Sequence, residues 1–251
     1  MTLVYKRYQE DLLYIKNGYL TNAEKPHDSQ YFNPGYLCEE AKLIIKINYN
    51  NEGYFDFSKA ILDIGAFVGV YSFLTPFKYA YCFEPNFESY SLLNVNMLHY
   101  DKKFKSYNVL LSDKKETISY DGFNTEPKFS GKYIGDNFEH EADSYSENKA
   151  QEFETHTIDE YNCENIGLIK IDVEGMEEKV LRGAIGTIIR NNYPPILFEL
   201  FPVGHYNMTQ EKHDSLINFL HELGYEIVEG WGDMQTHLAI YKNDEQFDEQ
   251  N

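Results

Sequence analysis

Residues 60–86, AILDIGAFVGVYSFLTPFKYAYCFEPN, decide where the rest of the chain goes. Ala60 to Ile64 is a short apolar run of strand type. It stops at Gly65-Ala66-Phe67-Val68-Gly69, after which apolar residues return at helical spacing through Val70, Phe73, Leu74 and Phe77. A second apolar run, Tyr79 to Phe83, ends in Glu84-Pro85-Asn86 and leads into another helix. Two strands joined by a helix make a right-handed βαβ unit with parallel strands. In such sheets ligands bind beyond the carboxyl ends of the strands, where glycine lets the backbone come close and an acidic side chain accepts from ribose hydroxyls. Glu84 holds that acidic position. The segment therefore reads as a pocket for a ribose-bearing ligand, most simply a nucleoside cofactor.

The flanking sequence continues the α/β pattern. Upstream, residues 3–17 have the spacing of an amphipathic helix ending near Gly18. Asn33-Pro34 marks the start of a second helix that runs through Leu37, Ala41, Ile44 and Ile45 to about Tyr49. Downstream, the pattern predicts a helix over 87–98, a third strand over 107–111 and a small extra strand over 117–120. Residues 122–150 have no apolar period, and a stretch of that length reads either as a lid or as a disordered insertion. A strand over 152–157 and a helical turn over 157–161 follow. Leu168 to Asp172 is then a buried strand ending in an acid, with a helix from Met176 to about Arg190 after it. Ile196 to Phe201 is another strand, and a helix over 209–223 is closed by Gly224. The last two strands, 225–229 and 237–241, are too close for a parallel crossover, so the chain ends in an antiparallel hairpin. The expected organisation is an N-terminal helical extension (1–57), one α/β domain (58–243) and an acidic tail (244–251).

Composition narrows the function. The net charge of −19, from 41 acidic and 22 basic residues, argues against nucleic-acid backbones and anionic membrane surfaces, which are held by lysine and arginine. No stretch approaches the roughly 18 apolar residues of a membrane span. The N-terminus has charges within its apolar pattern, unlike a signal peptide. Cys38, Cys82 and Cys163 are widely spaced and read as reduced thiols of a cytoplasmic protein. The 22 tyrosines suit contact with sugar rings, but they are spread along the whole chain.

Four motifs carry a family resemblance: D-I-G-A-x-x-G-x-Y-S at Asp63 to Ser72, F-E-P-N at Phe83 to Asn86, L-S-D at Leu111 to Asp113, and I-K-I-D-V-E-G-M-E at Ile169 to Glu177. Over roughly residues 58–242 the chain resembles the FkbM-type S-adenosylmethionine-dependent methyltransferases. The resemblance implies a class I methyltransferase (Rossmann-like) fold: a seven-stranded, mostly parallel sheet with its last-numbered strand antiparallel and helices on both faces. It also implies S-adenosyl-L-methionine as cofactor and O-methylation of a hydroxyl on a sugar, glycan or natural product. Phe67 departs from the family, which commonly has Asn there.

Roles follow for individual residues. The backbone of Gly65, Ala66, Phe67 and Gly69 passes the methionine part of the cofactor, and Asp63 orients that loop or accepts from the cofactor ammonium. Tyr71 and Ser72 open the next helix, where they cap backbone donors or touch the cofactor. Glu84 accepts from both ribose hydroxyls. Pro85 and Asn86 follow it, and Asn86 also fits a helix cap. Ser112 and Asp113 sit where an adenine edge would lie, or form a simple turn. Asp172 and Glu174 face the acceptor and the sulfonium, either of them able to take the acceptor's proton. Glu199, an acid in an apolar strand, belongs to the site or pairs with Lys170. His205 is a further candidate base. No metal is expected, because no compact ligand spacing occurs.

Two other functions compete. A nicotinamide oxidoreductase shares the ribose-binding acid, but the loop reads G-x-x-x-G rather than G-x-G-x-x-G. A non-catalytic binding module on the same fold would have no need of intact Asp63, Gly65, Gly69, Glu84 and Asp172.

Overall fold

The computed structural model describes residues 14–16, 19–21, 44, 54–120, 151–173, 175–204, 208–228 and 235–242. The insertion over 122–150, the tail, Glu174, His205 and most of the N-terminal extension therefore lie outside the described residues. Where the extension is described, it differs from the expected helix over 3–17. Tyr14–Lys16 (β1) and Tyr19–Thr21 (β2) pair antiparallel with Lys16 opposite Tyr19. Only Asn17-Gly18 separates them in the sequence, the residue pair that two-residue hairpin loops favour. In the second expected helix, Ile44 is helical and fully buried.

Ala60–Ile64 (β3), Tyr79–Phe83 (β4) and Phe104–Tyr107 (β5) are successive parallel strands. Leu110–Leu111 (β6), Thr117–Tyr120 (β7) and Gln151–His156 (β8) form a separate three-stranded sheet with β8 in the middle. Ile166–Ile171 (β9), Ile196–Glu199 (β10), Tyr225–Val228 (β11) and Thr236–Tyr241 (β12) complete the main sheet. Its order is β11-β12-β10-β9-β3-β4-β5, and β12 alone runs against its neighbours. This is the seven-stranded, mostly parallel sheet with a reversed last strand that the resemblance implies. Every residue of β3 and β9 is buried, as in strands covered on both faces.

Helices cover both faces. Val70–Leu74 (α1) and Phe87–His99 (α2) pack with Ile44 and Phe55 on the face that carries Ile61, Cys82 and Leu168. Glu177–Arg182 (α3), Ile185–Arg190 (α4) and Gln210–Glu222 (α5) cover the opposite face, which carries Leu62, Ile64, Ile169 and Ile171. No helix among the described residues is long and apolar enough to cross a membrane.

Two further boundaries differ from expectation. The third strand of the main sheet ends at Tyr107 rather than Leu111. The chain turns at Asn108, whose amide donates to the carbonyls of Glu84 and Pro85, and Leu110–Leu111 then pairs with β8 instead. The helix expected over 176–190 is two helices broken at Gly183-Ala184. The Gly183 carbonyl accepts from the Asp159 N–H at 3.1 Å. The Asp159 carboxylate in turn accepts from the N–H groups of Gly186 and Thr187 and from the Thr187 hydroxyl, which starts α4 afresh.

Candidate active site

The chain progresses outward from β3 to β4 and β5 on one side and from β9 to β10 on the other, so the strand order reverses between β3 and β9. Crevices at such reversals are where open α/β sheets bind ligands. In register, the residues just past or at the carboxyl ends of β10, β9, β3 and β4 are Glu199, Asp172, Gly65 and Glu84. At the usual inter-strand spacing this row spans about 14 Å.

The loop between β3 and α1 is tied to both neighbouring strands. The N–H groups of Gly65 and Ala66 both donate to the Phe83 carbonyl at 3.0 Å, and the Asp172 N–H donates to the Ile64 carbonyl at 3.1 Å. Gly65 has φ +69°, and a Cβ there would lie 1.8 Å from the Asp172 carbonyl oxygen, so no other residue fits. Phe67 (φ +50°) and Gly69 (φ +86°) are also left-handed, and Gly69 caps α1. Three left-handed residues in five curl the loop back above the strand ends.

Glu84 holds this loop from below. Its Oε2 accepts from the Phe67 N–H at 2.8 Å and its Oε1 from the Asn86 N–H at 2.9 Å. Its side chain is buried at the strand end, and burial pushes the carboxyl up to about 7 against the pull of the two N–H groups. Pro85 is half-buried, and the Asn86 side chain caps α2 by accepting from the N–H groups of Glu88 and Ser89.

Behind the loop lies a polar cluster on the α1 and α2 face. Asp63 is fully buried, and its Oδ2 accepts from the Ser72 hydroxyl at 2.6 Å, so Ser72 supports Asp63 from within the core. Burial raises the Asp63 carboxyl, with the Lys170 charge opposing. Lys170 lies opposite Asp63 in register, and its Nζ donates to the Gly65 carbonyl at 2.8 Å. The same ammonium is 3.6 Å from Asp63 Oδ1, 3.7 Å from Asp172 Oδ2 and 5.0 Å from the centroid of the buried Tyr71 ring. Cys82 Sγ is 3.3 Å from Ser72 Oγ, and burial raises its thiol.

Past the end of β9, the Asp172 side chain is 37% exposed. Buried Glu177 shapes the turn after it: Oε1 accepts from the N–H groups of Val173 and Gly175, and burial pushes this carboxyl up to about 7 as well. Glu199 is half-buried at the end of β10. Ser112 is buried just after β6, its hydroxyl donating to exposed Asp113 at 3.1 Å and its N–H to the His156 carbonyl. Among the described residues no group of His, Cys, Asp and Glu has the arrangement of a metal site.

The structure thus brings Asp63, the 65–69 loop, Tyr71, Glu84 and Asp172 together, with Glu199 one strand further along. Sequence reading missed Glu177 and Asn108, and named Lys170 only as a partner for Glu199, whereas its ammonium lies against Asp63, Asp172 and the Gly65 carbonyl. Lys170 carries a signal only once its register against Asp63 is known. Glu177 shows as an acid that follows a glycine turn, and Asn108 gives no local signal at all. Chemically, the arrangement offers a backbone loop and a carboxylate for a polar nucleoside, beside a partly exposed carboxylate able to take a proton.

Residues 63–227 match the family described as the methyltransferase FkbM domain. Among solved structures, the methyltransferase FkbM of Methylobacillus flagellatus is 16% identical, with a TM-score of 0.49 over 76% of this chain and 46% of that one. This chain therefore spans less than half the length of that protein. A ribosomal protein L11 methylase from Lactobacillus delbrueckii subsp. bulgaricus is 10% identical, with a TM-score of 0.43 over 82% of this chain and 80% of that one. TYW2 of M. jannaschii, solved in complex with AdoMet, is 11% identical, with a TM-score of 0.42 over 90% of this chain and 82% of that one. No curated protein matches.

Proposed function

We propose, from the premise that this chain belongs to the FkbM methyltransferase domain family, that it is an S-adenosylmethionine-dependent O-methyltransferase acting on a hydroxyl of a sugar, glycan or glycosylated small molecule. The observation that carries this reading is the row Glu199, Asp172, Gly65 and Glu84 along adjacent strand ends at the reversal of strand order.

The residues fit the cofactor. Each oxygen of Glu84 spends one lone pair on a backbone N–H and keeps another for a ribose hydroxyl. The left-handed 65–69 loop, with no side chain at Gly65 or Gly69, lets backbone approach the methionine end. Ser112 and Asp113 are assigned to the adenine edge. When bound, S-adenosylmethionine supplies an electrophilic methyl group on a sulfonium.

The chain's own work is placement and proton removal. Asp172, with Glu174 and Glu199 nearby in sequence or register, holds the acceptor hydroxyl in line and takes or shares its proton. The acidic chain suits an acceptor without phosphates. The free thiols of Cys82 and Cys163 suit a cytoplasmic setting. The test is incubation with methyl-labelled S-adenosylmethionine and a panel of saccharides and glycosylated small molecules, with RNA and protein as controls. Label in a saccharide ether is expected, and label only in RNA or protein overturns the acceptor class.

A further inference from the structure

We propose that Lys170 is a positioning residue for the cofactor: its ammonium fixes the Gly65 carbonyl, and with it the path of the glycine loop beside the methionine end of the bound nucleoside. This rests on the methyltransferase reading above. Burying an ammonium is costly unless partners compensate, and Lys170 is only 4% exposed. A lysine present simply to balance Asp63 would approach a carboxylate most closely. Here the carboxylates of Asp63 and Asp172 flank the ammonium at 3.6 and 3.7 Å, while a hydrogen bond, at 2.8 Å, goes to the Gly65 carbonyl. The two acids hold the cation in place, and the cation holds the loop.

The loop's first residue is thereby gripped on both sides. Its N–H is tied to β4 through the Phe83 carbonyl, and its C=O is tied to β9 through Lys170. Gly65 is the residue with the least intrinsic preference for its own φ, so tethers rather than sterics define where the next peptides point. Releasing the β9 tether loosens the loop and leaves Glu84 in place, because its Oε1 is held by the Asn86 N–H outside the loop.

The test uses the full chain and two ligands: S-adenosylhomocysteine, and 5′-methylthioadenosine, which lacks the amino-acid end. Because Lys170→Met alone strands a buried Asp63 charge, the informative comparison is the Asp63→Asn/Lys170→Met double variant against Asp63→Asn alone, with the melting temperature of each recorded alongside. The expected result is a folded double variant that binds S-adenosylhomocysteine at least about tenfold more weakly than Asp63→Asn by calorimetry, a loss of about 1.4 kcal/mol. Its affinity for 5′-methylthioadenosine should stay within about threefold of that of Asp63→Asn. Lys170→Met gives the same split wherever it folds. Equal weakening of both ligands, or unchanged affinity for both, overturns the positioning role while wild-type binding upholds the methyltransferase reading. Wild-type protein that binds neither ligand overturns both.

Discussion

Phe67 sits at φ +50°, where an L side chain costs about 1–2 kcal/mol and where Asn or Gly is the ordinary choice. The family's usual Asn thus has a backbone reason, and the aromatic ring at this position is kept against it, packed partly on the α1 and α2 core. The strain can be isolated by comparing two truncations that both lose the ring. Phe67→Gly should be more stable than Phe67→Ala by about 0.5–1 kcal/mol in urea titrations, the reverse of the usual order. At Glu84 the expected effect is on pH dependence. Its folded carboxyl titrates near 7 against an ordinary 4.5, and ribose hydroxyls donating to it favour the ionised form. Affinity for S-adenosylhomocysteine should therefore rise as pH increases through about 7 and level off above. Glu84→Gln should bind about 10- to 100-fold more weakly with a flat profile. Without ligand the sign is opposite for stability. Glu84 and Glu177 both hold protons more tightly folded than unfolded, so their contribution to the unfolding free energy falls as pH rises from 4.5 to about 7. Glu84 was legible from its place after an apolar run. Lys170 was not, because its meaning depends on a strand register that no local window contains.

At the scale of elements, the ends of β3 and β9 are interlocked: the Ile64 carbonyl accepts from Asp172, and the Asp172 carbonyl occupies the space where a Cβ of residue 65 would sit. Neither backbone can yield without moving a central strand. Gly65→Ala should lower the unfolding free energy by at least about 3 kcal/mol in urea titrations, beyond an ordinary overpacking change. The split between α3 and α4 gives a second expectation. Asp159→Ala removes the cap of α4 and should cost about 1–2 kcal/mol by thermal or urea melting, with cofactor affinity unchanged. Strands whose burial makes them continuous apolar runs, such as β3, β4 and β9, could be read directly from sequence. The break at Gly183 could not. Met176 to Arg190 has helical spacing throughout, and the interruption comes from Asp159 and from the Ser112 carbonyl lying where a Cβ of residue 183 would go. The pairing of β1 with β2 is the converse case, because the sequence pair Asn17-Gly18 is a local signal weaker in any long window than the helical spacing around it.

Across the whole molecule, a sheet of order β11-β12-β10-β9-β3-β4-β5 places four strand ends side by side, each carrying one residue of the proposed site. The reversed last strand followed from the short link before it, and the alternation of strands and helices set the fold class. The proposed acceptor side was less legible, because Asp172 and Glu199 come together only through the parallel pairing of β9 with β10. Whether this row of strand ends holds S-adenosylmethionine is decided by calorimetric titration of the wild-type chain and Glu84→Gln with S-adenosylmethionine, S-adenosylhomocysteine and NAD. Binding of the first two, weakened by the substitution and absent for NAD, is the predicted result; binding of NAD alone would contradict the account.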